Sequence, residues 1–394
     1  MANLFDYLQW RADIPLSVSP FNEVDNLILA ELSYTDFDGI LSEAGEFKSL
    51  EEVSAAYFRT HSREALQKET AFMYKCPLLM DGLLSGARFR NLKLGCYINE
   101  VDGDAGVQIA ALTFLTDDGF AYVAFRGTDS SLTGWREDFN LGCMPETAGQ
   151  RRAKEYLDTV GLRLPYPLRV GGHSKGGNFA VYAAAFCVPF VRDRIVTVFS
   201  NDAPGFREEV VQTEGYRQIV PRVYSVVPDT SVIGRLLENS FSHHVVKSSA
   251  SGIMQHDGFS WLVSRDRFED AAESEVGQFL DRTLDGLIGS MDNQERQSLT
   301  DIIFSLLAST GLDTFHDIGQ QKLKSTVSVL SALSRLPKDR QAVLLKLAGQ
   351  LIQNSGQSAL TQLSDMIASQ AQEAAKPRAD EDAASAEHAP AAPG

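Results

Sequence analysis

From Phe21 to about Ala87, apolar residues recur at spacings of three and four, in NEVDNLILAELSYTDF and again in the Glu- and Lys-rich stretch from Leu50 to Lys68. That period gathers apolar side chains on one stripe of a helix and predicts helices packed on another layer. Between Asn91 and Phe125 the rhythm shortens to LKLGCYINEV, VQIAALTFLT and FAYVAFRG, divided by the turn signals DGDAG and DDG. Two or three strands are predicted there. A helix from about Ala148 to Val160 then leads into the apolar strand PLRVGG, and NFAVYAAAFCV returns to a helical period. RIVTVFSNDAPGF and PRVYSVVPDTSV read as buried strands ending in loops, with GYRQIV as a short connector between them. Strands and helices in alternation predict a mostly parallel sheet covered on both faces.

After about Arg267 the pattern becomes purely helical, in SEVGQFLDRTLDGLIGSM, SLTDIIFSLLAST, QKLKSTVSVLSALSRL and RQAVLLKLAGQLI. Its leucine and isoleucine spacing reads first as helix packing, and second as a surface for a helix-mediated protein partner. The final KPRADEDAASAEHAPAAPG lacks the apolar content to fold. The expected division is therefore a sheet domain over 1–265, a helical region over 266–375 and a disordered tail over 376–394.

The 394 residues are 44% hydrophobic and 22% charged, as in a globular protein with a sizeable core. Lys and Arg number 36 against 52 Asp and Glu, a formal charge of -16. Such a field repels polyanions and argues against a nucleic-acid partner. Cys76, Cys96, Cys143 and Cys187 form no CxxC pair and sit among apolar neighbours, as expected of reduced, partly buried thiols in a cytoplasmic chain. The start of the chain has no basic segment followed by an apolar run, and no window approaches the ~18 uninterrupted apolar residues of a membrane span.

The sharpest chemical signal is Gly172-His173-Ser174-Lys175-Gly176-Gly177, a G-x-S-x-G pattern where a predicted strand meets a predicted helix. A serine on so tight a turn stands clear of the backbone, and Gly172 and Gly176 are needed because side chains there would strike strand and helix. The helix after the turn aims its positive end at the serine, and the Lys175 amide is placed to bind an oxyanion. Upstream, FAYVAF ends in Arg126-Gly127-Thr128-Asp129, so an amide at Thr128 is the candidate second donor; taken alone, the same residues make a turn and a helix cap.

A serine hydroxyl needs a base to remove its proton and an acid to orient that base. In the order Ser, acid, His, Asp229 follows the strand Arg222 to Val227 and His256 follows in GIMQHDGFSWLV. Asp202, at the end of the preceding strand, is the rival acid, and the pair His243-His244 is the rival base. His61 and His316 lie in helical regions, His388 in the tail, and His173 is the variable residue of the turn, expected to point away from the hydroxyl. No H-x-x-x-H or Cys/His cluster suggests a metal.

VAFRGTD, W-x-x-D at Trp135 to Asp138, GGHSKGGNFAVYAA and the later PGF and HDGFSW together resemble the class-three (fungal-type) lipases. NLFDYLQWRADIP, SPFNEVDNLILAELSYTDFDGI and ARFRNLKL resemble more closely the Mbeg-like family, a bacterial group of α/β-hydrolases related to those lipases. The resemblance spans roughly residues 1–265 and implies an α/β-hydrolase fold. It also implies Ser174 as nucleophile, Asp229 as acid, His256 as base, Thr128 and Lys175 at the oxyanion hole, and no cofactor.

Two departures qualify that likeness. Lys175 replaces the leucine usual after the nucleophile and is expected to bring a cation beside the reaction centre. The stretch from Asp229 to His256 is also shorter than in the fungal enzymes, leaving less room for a large lipid-binding loop.

The function so implied is hydrolysis of a small-molecule acyl ester or lipid through an acyl-enzyme, with the segment Ser130 to Pro145 as a lid. The competing reading is a scaffold or regulatory protein that keeps the fold and works through its C-terminal helices.

Overall fold

A computed structural model of the protein describes residues 2–69, 71–102, 107–128, 141–142 and 144–272. Eight strands form one sheet whose spatial order is the chain order: β1 (Lys48–Ser49), β2 (Lys93–Asp102), β3 (Val107–Leu115), β4 (Ala121–Phe125), β5 (Leu168–His173), β6 (Ile195–Asn201), β7 (Val223–Pro228) and β8 (His243–Val246). β1 to β4 pair antiparallel, and β4 to β8 pair parallel. The mostly parallel sheet expected from the sequence is present, and its architecture is that of an α/β-hydrolase.

Side chains alternate between two cores because a strand points successive residues to opposite faces. Leu112, Phe114, Tyr122 and Ala124 face the N-terminal helices α1 (Leu4–Arg11), α2 (Glu23–Leu32) and α3 (Leu50–Tyr57). Ala111, Ala121, Val123 and Phe125 face the helices Ala148–Arg163 and Lys175–Phe186. Parallel strands laid down in unbroken order put those two crossover helices on one face, so the N-terminal helices are what covers the other. In β2 a bulge between Gly95 and Ile98, with Cys96 at φ 53°, moves Cys96 to the face opposite Leu94.

α2 is buried along its whole length, yet carries Glu23, Asp25, Asn26 and Glu31. Buried polar groups need specific partners, and Asp25 shows how they are met. Asp25 accepts from Arg88 Nε (2.8 Å) and Tyr7 Oη (2.8 Å), and also closes the capping box with Asn22. Arg88 in turn donates to the carbonyls of Ile14, Ser19 and Pro20, fastening the N-terminal loop to the helix.

Three elements differ from expectation. GYRQIV is not a bare connector but holds most of the helix Glu214–Ile219. FSHHVVKSS supplies the parallel edge strand β8, four residues long with a half-buried pair of histidines and little apolar signal. The helical character read from about Arg267 does not begin there, because Arg267–Phe268 forms β10 against β9 (Val263–Ser264). Phe268 is fully buried, and Ala271 N–H donates to Val245 O at 2.9 Å, so the chain stays packed on the sheet beyond residue 265. The expected C-terminal helical region and tail lie outside the described residues. Cys76, Cys96 and Cys187 are buried free thiols. Among the described residues no helix is long and apolar enough to cross a membrane.

Candidate active site

β5 ends at His173 and the helix Lys175–Phe186 begins two residues later, so Ser174 must reverse the chain in a single step. It does so at φ 57°, ψ −135°, a left-handed conformation that costs a non-glycine residue of order 1–3 kcal/mol and is found where function requires it. The flanking glycines are steric necessities: a Cβ on Gly172 would run into the backbone of Gly176 and Phe125, and one on Gly176 into the Phe125 carbonyl. Ser174 N–H donates to Asn201 O (2.9 Å), and Asn201 Nδ2 donates to Gly172 O (2.9 Å), so the end of β6 holds both sides of the turn. Asn201 is itself fixed from α2 by Asn26 Nδ2 (2.9 Å).

The carboxylate that meets His256 is Asp202. Its Oδ2 accepts from His256 Nδ1 at 2.7 Å, and its Oδ1 accepts from the Ser231 hydroxyl and from Gly234 N–H (3.2 Å). Burial pushes the Asp202 carboxyl upward, but the hydrogen bond and charge of His256, with the Ser231 bond, outweigh it and hold the group below its usual value. An ionised carboxylate accepts only, so the His256 ring carries a proton on Nδ1. Asp202 is 1% exposed, Ser174 6% and the His256 side chain 14%.

The structure does not bring Asp229 to His256 as expected. Asp229 Oδ1 accepts from Gln255 Nε2 at 2.7 Å, and Gln255 Oε1 accepts from Thr230 N–H at 2.9 Å. Asp229 thus braces the residue before His256 rather than the imidazole. The rival bases are engaged elsewhere: His243 Nδ1 lies 2.8 Å from Ser225 Oγ, and His244 bridges Glu23 and Asp270.

Lys175 opens the helix after the serine, where an N–H has no carbonyl four residues back within the helix. Its side chain does not bring a cation beside the serine as expected; Nζ runs the other way and donates to Gln108 Oε1 on β3 at 2.6 Å. Thr128 follows Gly127, and a Cβ on Gly127 would lie 3.0 Å from Ser174 Cβ, so this loop adjoins the elbow. Most of the expected lid, including Trp135 and Phe139, lies outside the described residues. Of its described members, Leu141 is buried and Met144 exposed.

Sequence reasoning missed three residues around the elbow. Tyr34 Oη accepts from Gly127 N–H (3.1 Å) and lies 3.3 Å from both His173 Nδ1 and His173 O, tying the Thr128 loop to the turn. His173 is fully enclosed, and its ring lies 4.6 Å from that of His256. Ser231 anchors Asp202. Their signal was present only as polar residues inside apolar runs. Ser174 Oγ and His256 Nε2 make no hydrogen bond with a described residue. No group of three His, Cys, Asp or Glu that could hold a metal ion occurs among the described residues.

Residues 83–305, more than half of the chain, match the model of the Mbeg1-like family. The chain belongs to that family. The match includes β2 to β10 and the whole of the site except Asn26 and Tyr34, which α2 and its C-terminal turn contribute from outside it. Among solved structures the chain is similar to M37 lipase (12% identity, 53% of this chain and 67% of that chain, TM-score 0.31). It is also similar to the lipase from Rhizopus microsporus var. chinensis (14%, 57% and 83%, 0.32) and to Rhizomucor miehei lipase in complex with its propeptide (15%, 52% and 73%, 0.32). No curated protein matches.

Proposed function

We propose that this Mbeg1-like protein is a serine hydrolase that cleaves carboxylic esters through Ser174, His256 and Asp202. The observation that carries the reading is the 2.7 Å bond from His256 Nδ1 to a buried Asp202, on a loop whose His256 carbonyl meets the ring of His173, the residue before a serine in a strained left-handed turn. Ion pairs serve structure too, but strain at an elbow serine and an imidazole oriented by a buried carboxylate are both costs that folding alone does not call for.

Ser174 Oγ attacks the ester carbonyl while His256 Nε2 takes its proton. Asp202 keeps that nitrogen free by holding the other ring proton and stabilises the imidazolium that forms. The amides at Lys175 and Thr128 receive the oxyanion, each such donor contributing about 2.7–4 kcal/mol in comparable sites. The imidazolium then protonates the departing alcohol, and water, activated by the same ring, releases the acid. The serine–histidine bond is one that closes with substrate bound, since such bonds are often long in unliganded sites.

Turnover of nitrophenyl acetate, butyrate and longer esters tests the proposal. The wild type is expected to hydrolyse a short ester, and Ser174→Ala to lose that activity with an unchanged circular dichroism spectrum. Equal rates for the two proteins would refute it.

A further inference from the structure

His173 occupies the variable position of the elbow, yet every polar atom of its ring is committed. Nε2 lies 2.8 Å from the main-chain carbonyl of His256. A carbonyl oxygen accepts only, so Nε2 bears the proton, and in a neutral ring Nδ1 is then an acceptor. Facing Nδ1 are Tyr34 Oη at 3.3 Å and Glu31 Oε1 at 3.5 Å. Glu31 Oε1 is sealed from solvent and has no hydrogen-bond partner among the described residues. It is also pressed against the loop after the base, because a Cβ on Gly258 would lie 2.6 Å from it.

We propose that His173 is a positioning residue for His256, its Nε2–H holding the His256 carbonyl while the Tyr34 hydroxyl, with the carboxyl of Glu31 next to it, fixes that tautomer from Nδ1. The proposal rests on the reading of His256 as the general base.

The charge states follow from the surroundings. An ionised Glu31 against an imidazolium His173 would be a buried ion pair, whose desolvation is expensive. Other groups facing the pair are the Cys76 thiol, 3.8 Å from Glu31 Oε2, and Asp257, which is paired with Lys75 at 3.1 Å. Asp202 and His256 complete the set. Burial, then the negative charge of Asp257, pushes the Glu31 carboxyl well above its usual range. Burial, then the neighbouring His256, pushes His173 down to about 3, so it stays neutral at working pH. Neutrality also suits the reaction: His256 becomes a cation in each turnover, and a second cation with its ring 4.6 Å away would oppose that step. The relay thus fixes the base's backbone from the residue next to the nucleophile, without adding charge.

The test uses the full chain labelled with 15N-histidine, read by long-range proton–nitrogen spectra from pH 5 to 8.5. One imidazole, missing in His173→Gln, is expected to show protonated Nε2 and bare Nδ1 without titrating, and Glu31→Gln, still neutral, is expected to leave that tautomer in place. For nitrophenyl butyrate, His173→Leu is expected to lower kcat about tenfold at a nearly constant KM. His173→Gln, whose amide N–H reaches the Nε2 position, is expected to recover most of it. An imidazole at 173 that titrates in this range or is protonated at Nδ1, or equal kcat values for the Leu and Gln variants, would overturn the relay. Absence of ester turnover in the wild type would instead remove the hydrolase reading, and the spectra would still decide the tautomer.

Discussion

His256 Nδ1 is bonded to Asp202 Oδ2 at 2.7 Å, across 54 positions of chain, although Asp229 stands at the end of the neighbouring strand. What separates the two acids is the anchoring of the histidine loop. Gln255 is held by Asp229, and Trp261 Nε1 donates to Gln255 O at 2.8 Å, which turns the next residue, His256, toward β6.

This predicts unequal consequences for the two carboxylates. Asp202→Asn is expected to lower kcat by about 10⁴, because an amide cannot hold the ring in the needed tautomer. Asp229→Asn is expected to cost less than about tenfold, through looser placement of Gln255. Steady-state rates on a short nitrophenyl ester check both; equal losses would contradict the assignment of the acid.

The buried pair Asp25–Arg88, fully enclosed on both sides, is expected to be a stability determinant. Replacing Asp25 by Ala leaves the Arg88 guanidinium without its counter-charge in the core and should cost about 3–5 kcal/mol in denaturant unfolding. The loss should fall on stability, not on kcat measured at a temperature where the variant is folded.

His244 gives the fold a pH dependence of definite sign. Its Nδ1 lies 2.9 Å from Glu23 Oε2 and its Nε2 2.8 Å from Asp270 Oδ1, and these bonds, first that to Glu23, raise it from 6.5 to about 9. A raised histidine contributes fully below about 6.5 and loses its contribution as the pH climbs through about 9. The stability difference between wild type and His244→Asn should therefore be largest near pH 6 and vanish above pH 9. Its size is about 1 kcal/mol, less than the shift alone implies, because the pair is partly exposed and solvent screens it. Thermal melts across that window check it; a difference that grows with pH would contradict it.

The elbow was legible in the sequence because its glycines answer to sterics: at Gly172 and Gly176 no side chain fits, whatever surrounds them. The choice of acid was not, since β6 and β7 run in register, with Asn201 beside Val226, and both end in an aspartate-bearing loop. Only the path of the chain through Gln255 selects between them. β8 is not legible because a short edge strand shows little alternation, and its two histidines read as candidate chemistry instead. The elbow pattern marks His173 only as its variable residue, and its reach to His256 depends on an enclosure made by residues distant in the chain.

The most direct test of the account is the rate at which a fluorophosphonate modifies the protein, with the adduct located by peptide mass. The account predicts a single adduct on Ser174 in the wild type, a similar rate in Asp229→Asn, and a rate lower by at least about a hundredfold in Asp202→Asn. An adduct elsewhere, none on Ser174, or a slowing in Asp229→Asn that Asp202→Asn does not share would contradict it.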